Sequence, residues 1–336
     1  MTTALLQPIP HTSPGATLTL SQRAKTYLQS QTAWTLPYPL SLLTASESQE
    51  KWAVYENLFL ANLRTGDFDT AETLLTQLVQ RFGAQNEHVL ALNGLYEEAT
   101  AKDETELAEV LRGYDELLKV DAANFPIRKR RAALLRAMGR TADAIAALRG
   151  LLDQSPTDAE AWSELSDLYV KEGMYEQAIY CLEEVLLVMP NAWNMHARLG
   201  EVTFLAAIRG QEAEQTRQLS ESVRRFCRSL ELCEDYLRGF YGLKLSTDRL
   251  LQALEAGNGG GGGGKVARRS EADPGTGDSA PPSVEMVKKL NEVATRKLGE
   301  IVRRAASGEK GWDGYSEAEL KATRELLEES VQKIER

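Results

Sequence analysis

The sequence predicts an all-α fold, a solenoid of antiparallel helix hairpins coiled into a right-handed superhelix. Three observations carry this. Residues in the middle of the chain recur with a period of 34, helix start and stop signals fall where that period puts them, and no run of alternating β-branched residues bounded by turns occurs.

The clearest unit is "AEAWSELSDLYVKEGMYEQAIYCLEEVLLVMP", Ala159 to Pro190. Trp162, Leu165, Tyr169, Ala178, Leu182, Val185 and Pro190 fall where a tetratricopeptide repeat places its large, small and helix-ending residues. Ser166 stands where that repeat usually has Gly and is still small enough to let a helix approach, as is Ala178 on the second helix. Trp162 and Tyr169 are expected to fill the gap between the two helices. Pro190 ends the second helix because it offers no N–H and turns Met189 away from helical angles. On this reading Trp162→Ala removes a core side chain and costs about 3–5 kcal/mol. One unit upstream, Leu135, Gly139, Ala144, Leu148 and Pro156 precede Tyr169, Gly173, Ala178, Leu182 and Pro190, each by the same single period.

In chain order, residues 1–45 read as an N-terminal arm with a short helix, and 46–256 as the solenoid. A weaker copy of the repeat opens near Trp52, with Tyr55, Leu58, Gly66, Ala71, Leu75 and Leu78 in the corresponding places. A lengthened hairpin follows, running from Asn86 to Phe125. After Pro190 comes a first helix containing Leu199-Gly200, then an insertion near Arg209 to Glu214 and further helices. Residues 257–282 read as a Gly/Pro-rich flexible linker. Two helices, 283–306 and 316–335, lie in a closing segment 283–336 that is expected to pack on the solenoid end. Thr157-x-x-Glu160 and Ser316-x-x-Glu319 have the spacing of capping boxes.

Bulk properties exclude several function classes. The chain has 336 residues, a net charge of -10 and 43% hydrophobic residues. Such an acidic balance argues against general nucleic-acid binding. No run of 18 apolar residues is present, and the N-terminus lacks a basic segment followed by an apolar core, so neither a membrane span nor a secretory signal is expected. Cys181, Cys227 and Cys233 are odd in number, form no C-x-x-C and sit in helical patterns, which suits a reducing compartment.

The stretch "LEAGNGGGGGGKVARRS" contains Gly259-x-x-x-x-Gly264-Lys265, most of a phosphate-cradling loop. Val266 replaces the required hydroxyl, the preceding residues read as a helix end rather than a strand, and the prolines that follow oppose a helix start. The run reads as a linker.

No catalytic, cofactor or metal site is expected, and the chain is not expected to be an enzyme. His11, His88 and His196 lie far apart, and none has a second ligand at metal-binding spacing. His196 occupies the repeat position of Trp162 and reads as a half-buried packing residue. One charge run stands out, "RKRRAALLRAMGR", Arg128 to Arg140. The repeat register places Lys129, Arg130 and Arg136 on a first helix, on the side lining the groove, with Glu160, Glu164 and Asp167 at comparable places one unit on. Two readings stand. The rows pair as surface ions, worth about 0–1 kcal/mol each, or the cations capture an acidic segment of a partner.

Three long segments resemble the family of subunit 2 of the endoplasmic reticulum membrane protein complex. They are "DAEAWSELSDLYVKEGMYEQAIYCLEEVLLVMPNAWNMHARLGEVTF" (Asp158 to Phe204), "YDELLKVDAANFPIRKRRAALLRAMGR" (Tyr114 to Arg140) and "RGFYGLKLS" (Arg238 to Ser246). With "WAVYENLFLANLRTGDFDTAETLLTQLVQRF", the likeness covers about residues 50 to 250. It implies a protein without catalytic role, peripheral on the cytosolic face of that membrane. There it scaffolds cytosolic subunits and grips cytosolic parts of membrane-spanning ones. The family's assembly inserts transmembrane segments, tail-anchored proteins included. The Gly-rich insertion departs from the family pattern, so no family contact is carried beyond about residue 250. The alternative is a chaperone-binding adaptor, which clamps a partner's C-terminal carboxylate with Lys, Arg and Asn. Here Glu56, Leu60, Ser163, Glu164 and Asp167 stand at such places, and Arg130 alone fits.

Overall fold

The computed structural model describes residues 6, 14–32, 49–259, 282–312 and 314–334. These residues form fourteen helices and no strand, as the tetratricopeptide-type α-fold requires. The chain comprises two compact units, Met1–Gln154 and Ser155–Arg336. The division falls inside the segment 46–256 expected as one array.

The first unit holds α1 (Pro14–Thr32), α2 (Gln49–Thr65), α3 (Phe68–Phe82), α4 (Glu87–Thr100), α5 (Glu104–Val120), α6 (Phe125–Ala137) and α7 (Thr141–Leu152). Each helix packs on its successor, and α4 also packs on α6. Leu58, Phe59, Ala71 and Leu74 are fully buried between the first helices. The arm helix α1 is docked rather than loose. Ser21 Oγ donates to Asn62 Oδ1 at 2.9 Å, and Lys25 meets Asp67 at 3.0 Å. Asn62 is fully buried and can be so because its amide also donates to the Leu58 carbonyl at 2.7 Å.

The period seen in the sequence is a backbone device. After α6, Gly139 has φ +73, its N–H bonds the Arg136 carbonyl at 3.1 Å, and the Arg140 N–H bonds the Leu135 carbonyl at 2.9 Å. After α8 (Ala159–Lys171), Gly173 has φ +74, with Gly173 N–H on Val170 at 3.0 Å and Met174 N–H on Tyr169 at 2.8 Å. Both are left-handed helix ends that satisfy orphan carbonyls and aim the chain into the next antiparallel helix. A side chain at either position is disfavoured by backbone conformation, since open space surrounds both.

The second unit continues with α9 (Tyr175–Val188), α10 (Trp193–Arg209), α11 (Glu212–Leu232), α12 (Leu237–Gly259), α13 (Val284–Ala306) and α14 (Glu317–Ile334). Small residues at the same repeat position set the helix spacing. Ser166 is fully buried and donates to the Ala178 carbonyl at 3.0 Å. Gly200 holds the equivalent place one repeat later, and its carbonyl accepts from Ser222 Oγ at 2.8 Å. Phe226 lies against both Gly200 and Gly242. A Cβ built on Gly242 would sit 2.1 Å from the Phe226 ring. Further along, α12 and α13 are joined by a polar set around the buried Lys244 and Thr247. Lys244 Nζ donates to Asp248 Oδ1 at 2.9 Å and Asn291 Oδ1 at 3.1 Å, and the Asn291 amide donates to Thr247 Oγ1 at 2.8 Å.

Several expectations change in detail. Thr157 does not cap α8. Asp158 does, accepting from the Ala161 N–H at 3.1 Å, because a carboxylate there also meets the positive end of the helix. The Ser316 box forms as expected, with Glu319 N–H on Ser316 Oγ at 3.2 Å and Ser316 N–H on Glu319 Oε2 at 3.3 Å. No looped insertion occupies Arg209 to Glu214. The extra residues lengthen α10 to 17 residues and α11 to 21, leaving only Gly210 and Gln211 between them. Cys233 is the residue after α11 rather than inside it. Gly259 is the last residue of a helix, where a phosphate loop would follow a strand. The rest of the Gly run, within 260–281, lies outside the described residues, as does most of the arm's 1–13 and all of 33–48.

Candidate partner-binding faces

Helix α6 carries the basic run. Asn124 caps it, accepting from the Ile127 N–H at 3.0 Å, and Pro126 sits in its first turn, where a missing N–H costs nothing. Ile127, Ala132, Leu134 and Leu135 face the core, leaving Lys129, Arg130 and Arg131 half-buried and Arg136 exposed. Arg130 grips Glu98 of α4 with two nitrogens, Nε on Oε1 at 3.1 Å and Nη2 on Oε2. The Tyr114 hydroxyl donates to the same carboxylate at 2.5 Å, beneath Gly94, where any Cβ would collide with the phenol. Burial and then the Glu98 charge push the Tyr114 phenol well above its usual range. Burial works against the Arg130 charge, and Glu98 more than restores it, so the guanidinium pKa is raised. Arg131 meets Asp115 at 2.7 Å. Arg130 therefore ties α4, α5 and α6 together, with its charge matched inside its own unit. Asp167 is matched likewise, by Arg198 at 2.7 Å.

The second unit contains a groove of about 730 Å³ between α8, α10, α12 and α14. Its floor is apolar, with Phe204, Phe226 and Leu245 among the lining residues. Its rim is ionic. Arg198 bridges Asp167 and Glu201, both at 2.7 Å, and Arg238 Nε donates to Glu319 Oε1 at 2.6 Å. Burial alone would raise the Glu319 pKa, but bonds from Arg238 and Ser316 outweigh it and hold the carboxyl below its ordinary value. An apolar floor with a charge-matched rim suits a polypeptide segment rather than a small charged substrate. Residue spacing put Asp167 on the groove side of its helix but gave no sign of the rest of the rim, which joins residues as distant as Asp167 and Glu319.

The repeat residues fall as follows. Leu165, Ala178 and Leu182 are buried, and half-buried Tyr169 packs on the cluster between α9 and α10. Trp162 is half-buried, edge-on to Tyr180 at 5.9 Å, and its Nε1 donates to the Pro156 carbonyl at 2.8 Å. Pro190 is exposed just past α9, and its carbonyl pairs with His196 Nε2 at 2.9 Å. His196 is thus buried rather than half-buried, and it repeats the Trp162 contact one unit on. Glu56, at a place where a carboxylate clamp wants a cation, stands 3.1 Å from His88.

Among the described residues no group of three or more His, Cys, Asp or Glu is placed to hold a metal ion. Burial pushes the Cys181 thiol up to about 12 and the Cys227 thiol up to about 11, so both are protonated at neutral pH and poor nucleophiles. No described helix is long and apolar enough to cross a membrane.

A family model, the EMC2 TPR-like repeat domain, matches residues 54–216. The chain is 36% identical over 203 residues to the TPR repeat protein oca3 of Schizosaccharomyces pombe, covering 60% of this chain and 68% of that protein. It is 33% identical over 196 residues to ER membrane protein complex subunit 2 of Xenopus tropicalis, covering 58% of this chain and 62% of that protein. Among solved structures, the C-terminal part of a TPR repeat-containing protein from Cytophaga hutchinsonii aligns over 85% of this chain and 93% of that one, with a TM-score of 0.48 and 12% identity.

Proposed function

The chain belongs to the family of ER membrane protein complex subunit 2, and we propose that it is a non-catalytic scaffold subunit of such a complex. In this reading it lies peripherally on the cytosolic face of the membrane, joins cytosolic subunits to the cytosolic parts of membrane-spanning ones, and supports an assembly that inserts transmembrane segments, tail-anchored proteins included. The observation that carries the reading is the match of residues 54–216 to the family's repeat domain. The groove between α8, α10, α12 and α14 supports the reading, since an apolar floor with a matched ionic rim suits a polypeptide segment.

The basic face of α6 is part of the proposal, in altered form. Arg130 acts as a positioning residue through Glu98, and Lys129 and Arg136 make the partner contact. The adaptor alternative fares worse, because Glu56 beside His88 would repel a partner's carboxylate. The test is affinity purification of the tagged full chain from detergent-solubilised membranes, with subunits counted by mass spectrometry. A stoichiometric set of membrane-spanning and cytosolic subunits is expected, reduced by Lys129→Glu together with Arg136→Glu. Recovery of soluble chaperones alone would sink the scaffold reading, and full recovery with the charge-reversed chain would sink the role of α6.

A further inference from the structure

The end of α9 and the turn into α10 expose apolar side chains that the repeat fold does not need. Leu187 is 77% exposed, and Val188, Met189 and Trp193 are exposed beside it. Tyr180, two turns earlier on α9, is exposed as well. The chain supplies its own control one repeat upstream, where Asp153, Gln154, Ser155 and Ala159 hold the positions of Leu187, Val188, Met189 and Trp193. The equivalent repeat positions thus hold polar and small residues, in a turn that begins after Leu152 where α9 runs on to Val188. The apolar set answers to something outside the repeat.

This ridge is held firmly. Trp193 packs edge-on against Tyr236 at 4.5 Å, and Ser229 Oγ donates to the Trp193 carbonyl at 2.7 Å. Pro190, whose carbonyl is bonded to His196, stiffens the turn. A rigid, preformed apolar surface loses little conformational freedom on docking, which favours a specific interface.

Charge decides what docks. From Tyr180 to Ala197 there is no lysine or arginine, and the charged residues are Glu183 and Glu184. Arg225 reaches Glu183 at 3.5 Å from α11, and the Tyr180 hydroxyl donates to Glu184. Across the Trp193–Tyr236 contact, Glu234 and Asp235 are exposed, with Lys297 on Asp235 at 2.9 Å. Carboxylates thus outnumber cations around the ridge. Loops that enter a membrane surface pair apolar side chains with lysine and arginine, because the cytosolic leaflet is anionic. This one has the opposite fringe.

We infer that the Leu187, Val188, Met189 and Trp193 ridge is a docking surface for another protein subunit, one presenting an apolar face bordered by lysine or arginine. The inference rests on the scaffold reading and adds to it a second contact face outside the groove. The test uses the full chain carrying Leu187→Asp, Val188→Gln and Met189→Ser, the residues of the upstream repeat. All three replaced side chains are exposed, so polar residues there disturb no core. With helicity and melting temperature unchanged, the variant is expected to lose at least one subunit tenfold or more in purification from solubilised membranes. Equal recovery of every subunit would overturn the inference. A photo-cross-linking residue at position 187 in the intact complex reads the same face without relying on the triple variant. A cross-link to a protein subunit is expected, and cross-links to lipid alone, or to nothing, would overturn it. Flotation with phosphatidylserine-containing vesicles is expected to leave the wild-type chain unbound, and binding that the triple variant loses would assign the ridge to lipid. If the wild-type chain recovers no complex at all, the scaffold reading falls first and this inference falls with it.

Discussion

The hairpins α6–α7 and α8–α9, on the one hand, and the stretch from α11 to α14, on the other, are all built of antiparallel helices, yet they are held by different means. In the first, each helix has 12–14 residues, each hairpin turn uses a glycine at φ +73 or +74, and equivalent contacts recur once per repeat. In the second, the helices run to 18–23 residues, and two non-repeating devices fix them: Phe226 between Gly200 and Gly242, and the buried Lys244 held by half-buried Asp248 and Asn291. A repeat spreads its stability over many equivalent small contacts, so single changes are absorbed locally. An idiosyncratic core concentrates it in a few side chains, and single changes there should be felt more.

That contrast can be broken by mutation, beginning with the largest effect. Phe226→Ala empties the space between two glycines and should cost about 4 kcal/mol. Gly242→Ala should cost about 3 kcal/mol because its methyl meets the Phe226 ring. Denaturant melts should find that the two costs are not additive. In the Phe226→Ala background the Gly242→Ala cost should nearly vanish, and simple addition would show that the ring does not set the helix spacing.

Next comes Lys244→Ala, which leaves Asp248 and Asn291 without their buried cation and should cost about 3 kcal/mol. Hydrogen exchange should then speed up in α12 and α13 while α8 and α9 keep their protection. Uniform loss across the unit would mean that the two stretches unfold as one.

Trp162→Ala tests the periodic side. The repeat pattern alone suggests about 3–5 kcal/mol, but Trp162 is only half-buried, and its loss should cost about 2 kcal/mol. A thermal melt showing a loss above about 4 kcal/mol would restore the fully buried role.

The smallest effect is electrostatic. Glu319 titrates below its ordinary value, so its contribution is complete above the unfolded carboxylate range and is lost as pH falls through the lowered folded value. Exchange protection of α14 should therefore weaken as pH falls from the unfolded carboxylate range through the lowered folded value. Arg238→Gln should remove most of that dependence, and a dependence unchanged in that variant would show that other carboxylates carry it.

How much of this was legible beforehand varies with the range of the contact. The turn glycines and the buried Leu165, Ala178 and Leu182 follow from spacing, because a repeat writes the same local requirement at a fixed interval, and the start of the last helix follows from its own Ser316 capping box. The partner of Arg130 was not legible. Sequence marked Lys129, Arg130 and Arg136 as one basic row, but Glu98 lies 32 residues before Arg130 and outside the repeat register, and it holds that guanidinium.

By itself the sequence determined the helical class, the repeat register and the family, all of which rest on local pattern and on long matching segments. Only the tertiary structure decided which charges are already matched, where a groove opens between α8, α10, α12 and α14, and which apolar side chains stay exposed. The reason is physical. Helix propensity and turn geometry act over a few neighbouring residues, whereas charge matching and burial depend on groups that meet across elements, as Arg238 and Glu319 do from 81 residues apart.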